Sequence, residues 1–246
     1  YEHYRQLRSE RNLTFRLNQI PEASEVLQQK QLFAYRFRRG RYMLKTYLES
    51  GPRWLRGVWV EKPNNVDRGE GITFLRAPRR WARPGHLLQR YLEHPWLIDG
   101  KKTEARVIAR INDDGSALVY PEGLVRVAHL PYTLADLDPL IHNANLAFQQ
   151  RMGIEVVEQH LLTERAPFPG LIDQMVAIVR DTVSVLSRKE RFRGTGDFEV
   201  MGYDFVVSRR GRPYLLEANR CPGLYLDQGV AERFYRGMIQ ALYHEL

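Results

Sequence analysis

Two β-prone runs, Lys102–Ile111 and Ala117–Ala128, lie either side of the turn-forming Asn112-Asp113-Asp114-Gly115. So short a connection joins antiparallel neighbours, because parallel strands need a crossover of a dozen residues or more. Phe198–Val207 and Tyr214–Ala218 make a second hairpin around the turn Ser208–Pro213. Further strands are expected at Val58–Lys62, stopped by Pro63 and Asn64-Asn65, at Ile72–Leu75 and at Leu87–Leu92. Helical patterning covers residues 22–49 with a break at Gly40 and an end at Gly51-Pro52, then 134–152, 170–188 and Gly229 to Leu246. Helices are grouped between hairpins, which is an α+β arrangement built on antiparallel sheet.

Composition narrows the class. The 246 residues, 43% hydrophobic and 27% charged, can bury a sizeable core in one large or two small domains. No apolar run approaches the ~20 residues that cross a bilayer. The opening Tyr1-Glu2-His3-Tyr4-Arg5 is unlike a secretory signal, and a start without Met suggests either a missing leader or a true start that lies before Tyr1. The single cysteine, Cys221, rules out a disulfide within the chain and any multi-cysteine zinc site; a cytoplasmic location is expected. Beside Pro222 it reads as a packed thiol rather than a nucleophile. Net charge is +8, and residues 1–60 hold 12 Lys/Arg against 5 Asp/Glu. That basic excess, around Arg36, Arg38, Arg39 and Arg41, attracts acidic partners. Its plain alternative is a solvated helix face in a chain where 31 of 37 basic residues are arginine.

Single polar residues interrupt the apolar strands. Asp204 stands within Val200–Val207, Glu217 ends the next strand, and Asn219 shares its face two residues on. Two carboxylates and an amide oxygen converging in apolar surroundings repel unless a cation joins them, and hard oxygen donors suit Mg²⁺. Lys62 projects from a strand end seven residues before Gly69-Glu70-Gly71. It could meet phosphates whose oxygens the glycine-flanked backbone also reaches, or it could end an ordinary surface strand. Arg106 and Arg126, each among apolar neighbours, need an anion that is either a protein carboxylate or a bound phosphate.

Taken in order, Trp59-Val60-Glu61-Lys62-Pro63, Arg68-Gly69-Glu70-Gly71-Ile72, Leu88-Gln89-Arg90-Tyr91-Leu92-Glu93-His94-Pro95 and Lys102-Thr103-Glu104-Ala105-Arg106 form a recognisable series. It continues through Tyr120-Pro121-Glu122-Gly123-Leu124-Val125-Arg126, His142-Asn143-Ala144-Asn145, Gly202-Tyr203-Asp204-Phe205 and Leu216-Glu217-Ala218-Asn219. The series resembles the tubulin–tyrosine ligase-like family, a branch of the ATP-grasp ligases, over roughly residues 57–225. The resemblance implies an ATP-grasp fold with the nucleotide between two lobes, ATP and Mg²⁺ as cofactors, and an amino acid joined to a peptide or protein carboxylate. It implies that Lys62 holds phosphates under a loop at 67–71 containing Gly69 and Gly71. Gln89, Tyr91 and Leu92 would read adenine, and Lys102 and Glu104 would meet the ribose, Glu104 standing where the family has aspartate. Arg106 and Arg126 would face the γ-phosphate and an acyl-phosphate intermediate, and Asp204, Glu217 and Asn219 would ligate Mg²⁺. His142 and Asn145 keep the spacing of the family's HLTN signature, with Asn143-Ala144 in the middle. Ile20-Pro21 followed by Lys30 is weakly similar to the family's early lysine-bearing helix. The chain accordingly divides into a basic segment, 1–56, on the acceptor side and ATP-grasp lobes at 57–246. The acceptor is expected to be acidic. Rival readings are a nucleic-acid-binding module using the basic segment, and a nucleotide-binding relative that no longer turns over.

Overall fold

The hairpin that dominates the sequence is the spine of the molecule. In this computed structural model, which describes residues 20–48, 55–66, 69–77, 82–188, 192, 197–220, 222 and 229–243, β6 (Lys101–Asn112) and β7 (Ala117–Pro131) pair antiparallel from Ile111↔Ala117. On the other side of β6 lies β9 (Phe198–Val207), with Asp204 opposite Arg106, and then β10 (Pro213–Arg220). With β8 (Gln159–Leu161) beside β7 the order is β10-β9-β6-β7-β8, and β5 (Leu97–Ile98) pairs with β6. The second sheet has the order β1-β4-β2-β3, from β1 (Thr46–Tyr47), β2 (Val58–Pro63), β3 (Thr73–Arg76) and β4 (His86–Arg90). Every paired strand is antiparallel to its neighbour, so the α+β expectation holds.

Strand alternation decides what each face covers. Met201, Tyr203 and Phe205 of β9 pack with Val107 and Ala109 under α6 (Leu171–Ser187). That helix buries Leu171, Met175, Val179, Val183 and Leu186, one stripe at helical spacing. Phe198 and Val200 point the other way, against Phe234, Met238 and Leu242 of α7 (Gly229–Tyr243). Asp204 continues that second face beyond the helix contact, which is how a carboxylate reaches a cleft from a strand buried along its whole length.

Several boundaries differ from the sequence expectation for identifiable reasons. The helix over 22–49 divides at Gln29, which is extended (ψ 110°), into α1 (Pro21–Gln28) and α2 (Lys30–Phe37). Its last part is instead β1, paired with β4 and fixed by Arg90 N–H to the Lys45 carbonyl (2.7 Å); sheet pairing overrides local helical pattern. The helix over 134–152 is two short ones, α3 (Pro139–His142) and α4 (Leu146–Arg151). Pro139 keeps the preceding residue out of the helix, and the side chains of Asp138 and Asn145 cap the two starts. The strand 87–92 stops at Arg90. Short β5, β8 and α5 (Leu162–Arg165) had too few residues to register as periodic patterns. Arg68, Cys221, Gly51-Pro52 and residues 244–246 lie outside the described residues.

Candidate active site

The two sheets face each other across an open cleft of about 790 Å³. Lys62, Gly69, Gln89, Tyr91, Leu92, Lys102, Glu104, His142, Asn145, Asp204 and Glu217 all line it. The remaining expected residues stand just behind. Arg106, Arg126 and Asn219 reach Asp204 by direct bonds, and Gly71 lies in the turn after Gly69.

The carboxylate end is built by a β-bulge. Leu215 pairs with Phe205 but Glu217 pairs with Asp204, so one extra residue of β10 re-aims Glu217 across from Asp204. Arg106 grips Asp204 through Nε–Oδ1 and Nη2–Oδ2, both 2.8 Å, and Arg126 Nη2 reaches Oδ1 at 3.0 Å. Burial alone would raise the Asp204 carboxyl, but the two guanidiniums overrule it and hold the pKa down at about 2. Burial likewise disfavours the Arg106 charge, and Asp204 more than restores it. Of the two anions the sequence allowed for Arg106 and Arg126, the structure shows the protein carboxylate, Asp204. Asn219 Nδ2 donates to Asp204 Oδ2 (3.1 Å) and Glu217 Oε1 (3.2 Å). Two carboxylates and one amide in this grouping fit a hard divalent cation, provided the amide turns its oxygen inward.

Lys62 is the opposite case. It is 8% exposed, and burial lowers its pKa against the pull of Glu217 and Glu104. Among the described residues its Nζ makes no hydrogen bond or ion pair. Lys102, by contrast, is fully engaged: Nζ donates to Glu104 Oε1 (2.7 Å) and to the His142 carbonyl (2.5 Å). The longer Glu104 side chain therefore closes on the lysine.

His142 is a wall of the site. Its Nε2 donates to the Asp136 carbonyl (2.8 Å), which fixes the tautomer, and Nδ1 accepts from the Tyr91 hydroxyl (2.9 Å). Burial pushes the imidazole pKa down, and Phe74, Tyr91 and Tyr132 pack around the ring. Asn145 Oδ1 accepts from Phe148 N–H, so that side chain also caps α4. Gly69 and Gly71 take φ of 70° and 67°. A Cβ at Gly69 would lie 2.8 Å from Asn143 Nδ2, so the turn sits against the 143–145 segment. Gln89 Nε2 is backed by Thr46 Oγ1 at 3.4 Å, and the Tyr91 N–H is spent on the Val58 carbonyl.

Lys30, only weakly marked in the sequence, lines the cleft and donates from Nζ to the Val66 carbonyl (2.5 Å). Its signal was the scarcity of lysine in an arginine-rich chain. Leu44, Val60, Val206 and Leu216 supply apolar walls with no signal beyond strand alternation. No helix among the described residues is long and apolar enough to cross a membrane.

Comparison with known proteins bears on the family. The profile of the Tubulin-tyrosine ligase family matches residues 2–167, ending before β9. The tubulin polyglutamylase ttll-5 of Caenorhabditis elegans is 26% identical over 203 residues, covering 70% of this chain and 28% of its own length. Human tubulin polyglutamylase TTLL13 is 29% identical over 203 residues (69% and 25%), and human tubulin monoglycylase TTLL3 is 22% identical over 219 (74% and 28%). The chain thus spans about a quarter of the length of these relatives. With two thirds of its residues inside the family profile and its fold that of facing antiparallel sheets, the chain belongs to the tubulin-tyrosine ligase family.

Proposed function

We propose that the chain is an ATP-dependent carboxylate–amine ligase that joins an amino acid to a carboxylate of a peptide or protein. The observation that carries this reading is the buried Lys62 ammonium, which faces the same cleft as Asp204 and Glu217 and pairs with no anion among the described residues. Such a cation calls for a ligand anion. Lys62 would hold nucleotide phosphates, with the Gly69–Gly71 turn above them. Gln89, Tyr91 and Leu92 would border the base, and the Lys102–Glu104 pair would border the ribose. Asp204, Glu217 and Asn219 would hold Mg²⁺, which supplies charge neutralisation at the phosphates. Arg106 and Arg126 would carry the negative charge of the phosphoryl group as it passes to the acceptor carboxylate. The bond from the γ-phosphorus to ADP breaks as an acyl phosphate forms and ADP leaves; the neutral amine would then attack its carbonyl carbon, with phosphate leaving and the amine giving up a proton. Nothing here needs a protein nucleophile, since positioning and charge stabilisation suffice.

Residues 1–56 would lie on the acceptor side, and their arginines would favour an acidic acceptor. The relatives named for polyglutamylation and glycylation of tubulin support the class of reaction.

Thermal melts with Mg²⁺ and ATP, ADP or GTP test the reading. A ligand at 100-fold over its Kd stabilises a native state by about 2.7 kcal/mol. ATP and ADP are expected to raise the melting temperature, and Lys62→Met to abolish the shift. No shift with any adenine nucleotide at millimolar concentration contradicts the proposal.

A further inference from the structure

Outside the cleft, two distant segments meet at a surface made of arginine. Arg38, Arg39 and Arg41 follow α2, and Arg209, Arg210 and Arg212 occupy the β9–β10 turn; all six are exposed. Arg212 Nη2 donates to the Arg41 carbonyl (2.7 Å), Leu215 N–H to the Tyr42 carbonyl (2.9 Å), and Met43 bridges to Leu215. Arg38 lies 4.0 Å over the Tyr35 ring and donates to the Tyr35 carbonyl (2.6 Å), while Arg212 lies 5.1 Å over Tyr214. Arg38 and Arg212 are therefore anchored by backbone and rings.

No acid among the described residues neutralises them. None of the six takes part in an ion pair among the described residues. Asp181, which contacts this stretch, accepts instead from the Tyr42 hydroxyl (2.7 Å). Like charges gathered this way repel, so the surface is stabilised by whatever anion covers it.

Its place is informative too. Arg209 N–H bonds the His94 carbonyl and Pro95 bridges to Ser208, so the turn rests on the chain just after Tyr91 and Leu92. The patch borders that end of the cleft rather than the carboxylate end. Arg209 lies five positions along the chain from Asp204, beyond the end of β9, a span of up to ~17 Å.

We propose that this surface docks an acidic polypeptide segment outside the cleft, so that an acceptor is held at a point remote from its reacting carboxylate. The choice of an acidic polypeptide rests on the ligase reading, in which the partner already carries the reacting carboxylate. The guanidiniums of Arg38 and Arg212, held in place, lose little freedom on meeting carboxylates, and the exposed Arg39, Arg41, Arg209 and Arg210 add charge around them.

The test uses the full chain with poly-L-glutamate as probe, an oligo-dT strand as competitor, and the triple variant Arg39→Glu/Arg209→Glu/Arg210→Glu. These three side chains make no hydrogen bond among the described residues and stand outside the cleft. Poly-L-glutamate is expected to bind the parent, to weaken between about 50 mM and about 300 mM salt, and to lose at least about tenfold in affinity in the variant. The variant's melting temperature and its MgATP shift are expected to be unchanged. If the variant does not fold, single Arg→Gln changes at the same positions are expected to weaken binding stepwise. Undiminished poly-L-glutamate affinity in the variants, no binding by the parent at low salt, or tighter binding of oligo-dT overturns the docking surface. A parent that MgATP does not stabilise counts against the ligase reading separately, since the polyglutamate arm needs no nucleotide.

Discussion

Asp204 carries two duties, and they predict different losses. It balances two buried guanidiniums, Arg106 and Arg126. Asp204→Asn strands both charges, and breaking a buried pair costs about 3–5 kcal/mol. Chemical denaturation is therefore expected to find the variant destabilised by that order. An unchanged midpoint would show that water already screens the arginines. The pH dependence follows from the same pairing. The folded pKa, about 2, lies below the ~3.9 of an unfolded aspartate. The carboxylate's contribution is complete above about pH 4 and is lost as pH falls towards 2. At this scale the sequence was legible where a polar side chain broke an apolar strand, as Lys62, Arg106, Arg126 and Asp204 do. It was silent on Lys102 bonding to Glu104 and the His142 carbonyl, and on the His142 ring bonding to Tyr91 and the Asp136 carbonyl.

Among the elements, the stretch 139–151 shows why helical pattern overreached. Apolar residues recur across it, yet Pro139 and the caps at Asp138 and Asn145 impose two starts. The break at 143–145 is what faces the Gly69 turn. Asn145→Ala removes the cap of α4 and is expected to cost about 1 kcal/mol, whereas Asn145→Asp keeps an acceptor and most of the stability. Equal melting temperatures for the two variants would deny the cap its role. Hairpins were legible because turn chemistry and length leave only one pairing sense. The bulge at Leu215/Glu217 was not, since nothing local in Leu215-Leu216-Glu217 distinguishes it from regular strand. Even so, Glu217 and Asn219 ended on one face as expected, because the bulge lies before both.

For the molecule as a whole, the antiparallel hairpins and most of the residues that line the cleft could be read from order along the chain. The pairing of β1 into the second sheet could not, because a two-residue strand is defined by its partner. Neither could the meeting of the α2 arginines with the β9–β10 turn, which is a long-range contact between residues 41 and 212. The most direct measurement of the central claim is ADP release by the full chain, assayed with each of the twenty amino acids, with and without acidic peptides. Release is expected to require both an amino acid and a carboxylate acceptor, and to vanish in Glu217→Gln, which keeps shape and loses the charge a metal needs. Release independent of either substrate, or normal turnover by Glu217→Gln, would contradict the ligase assignment.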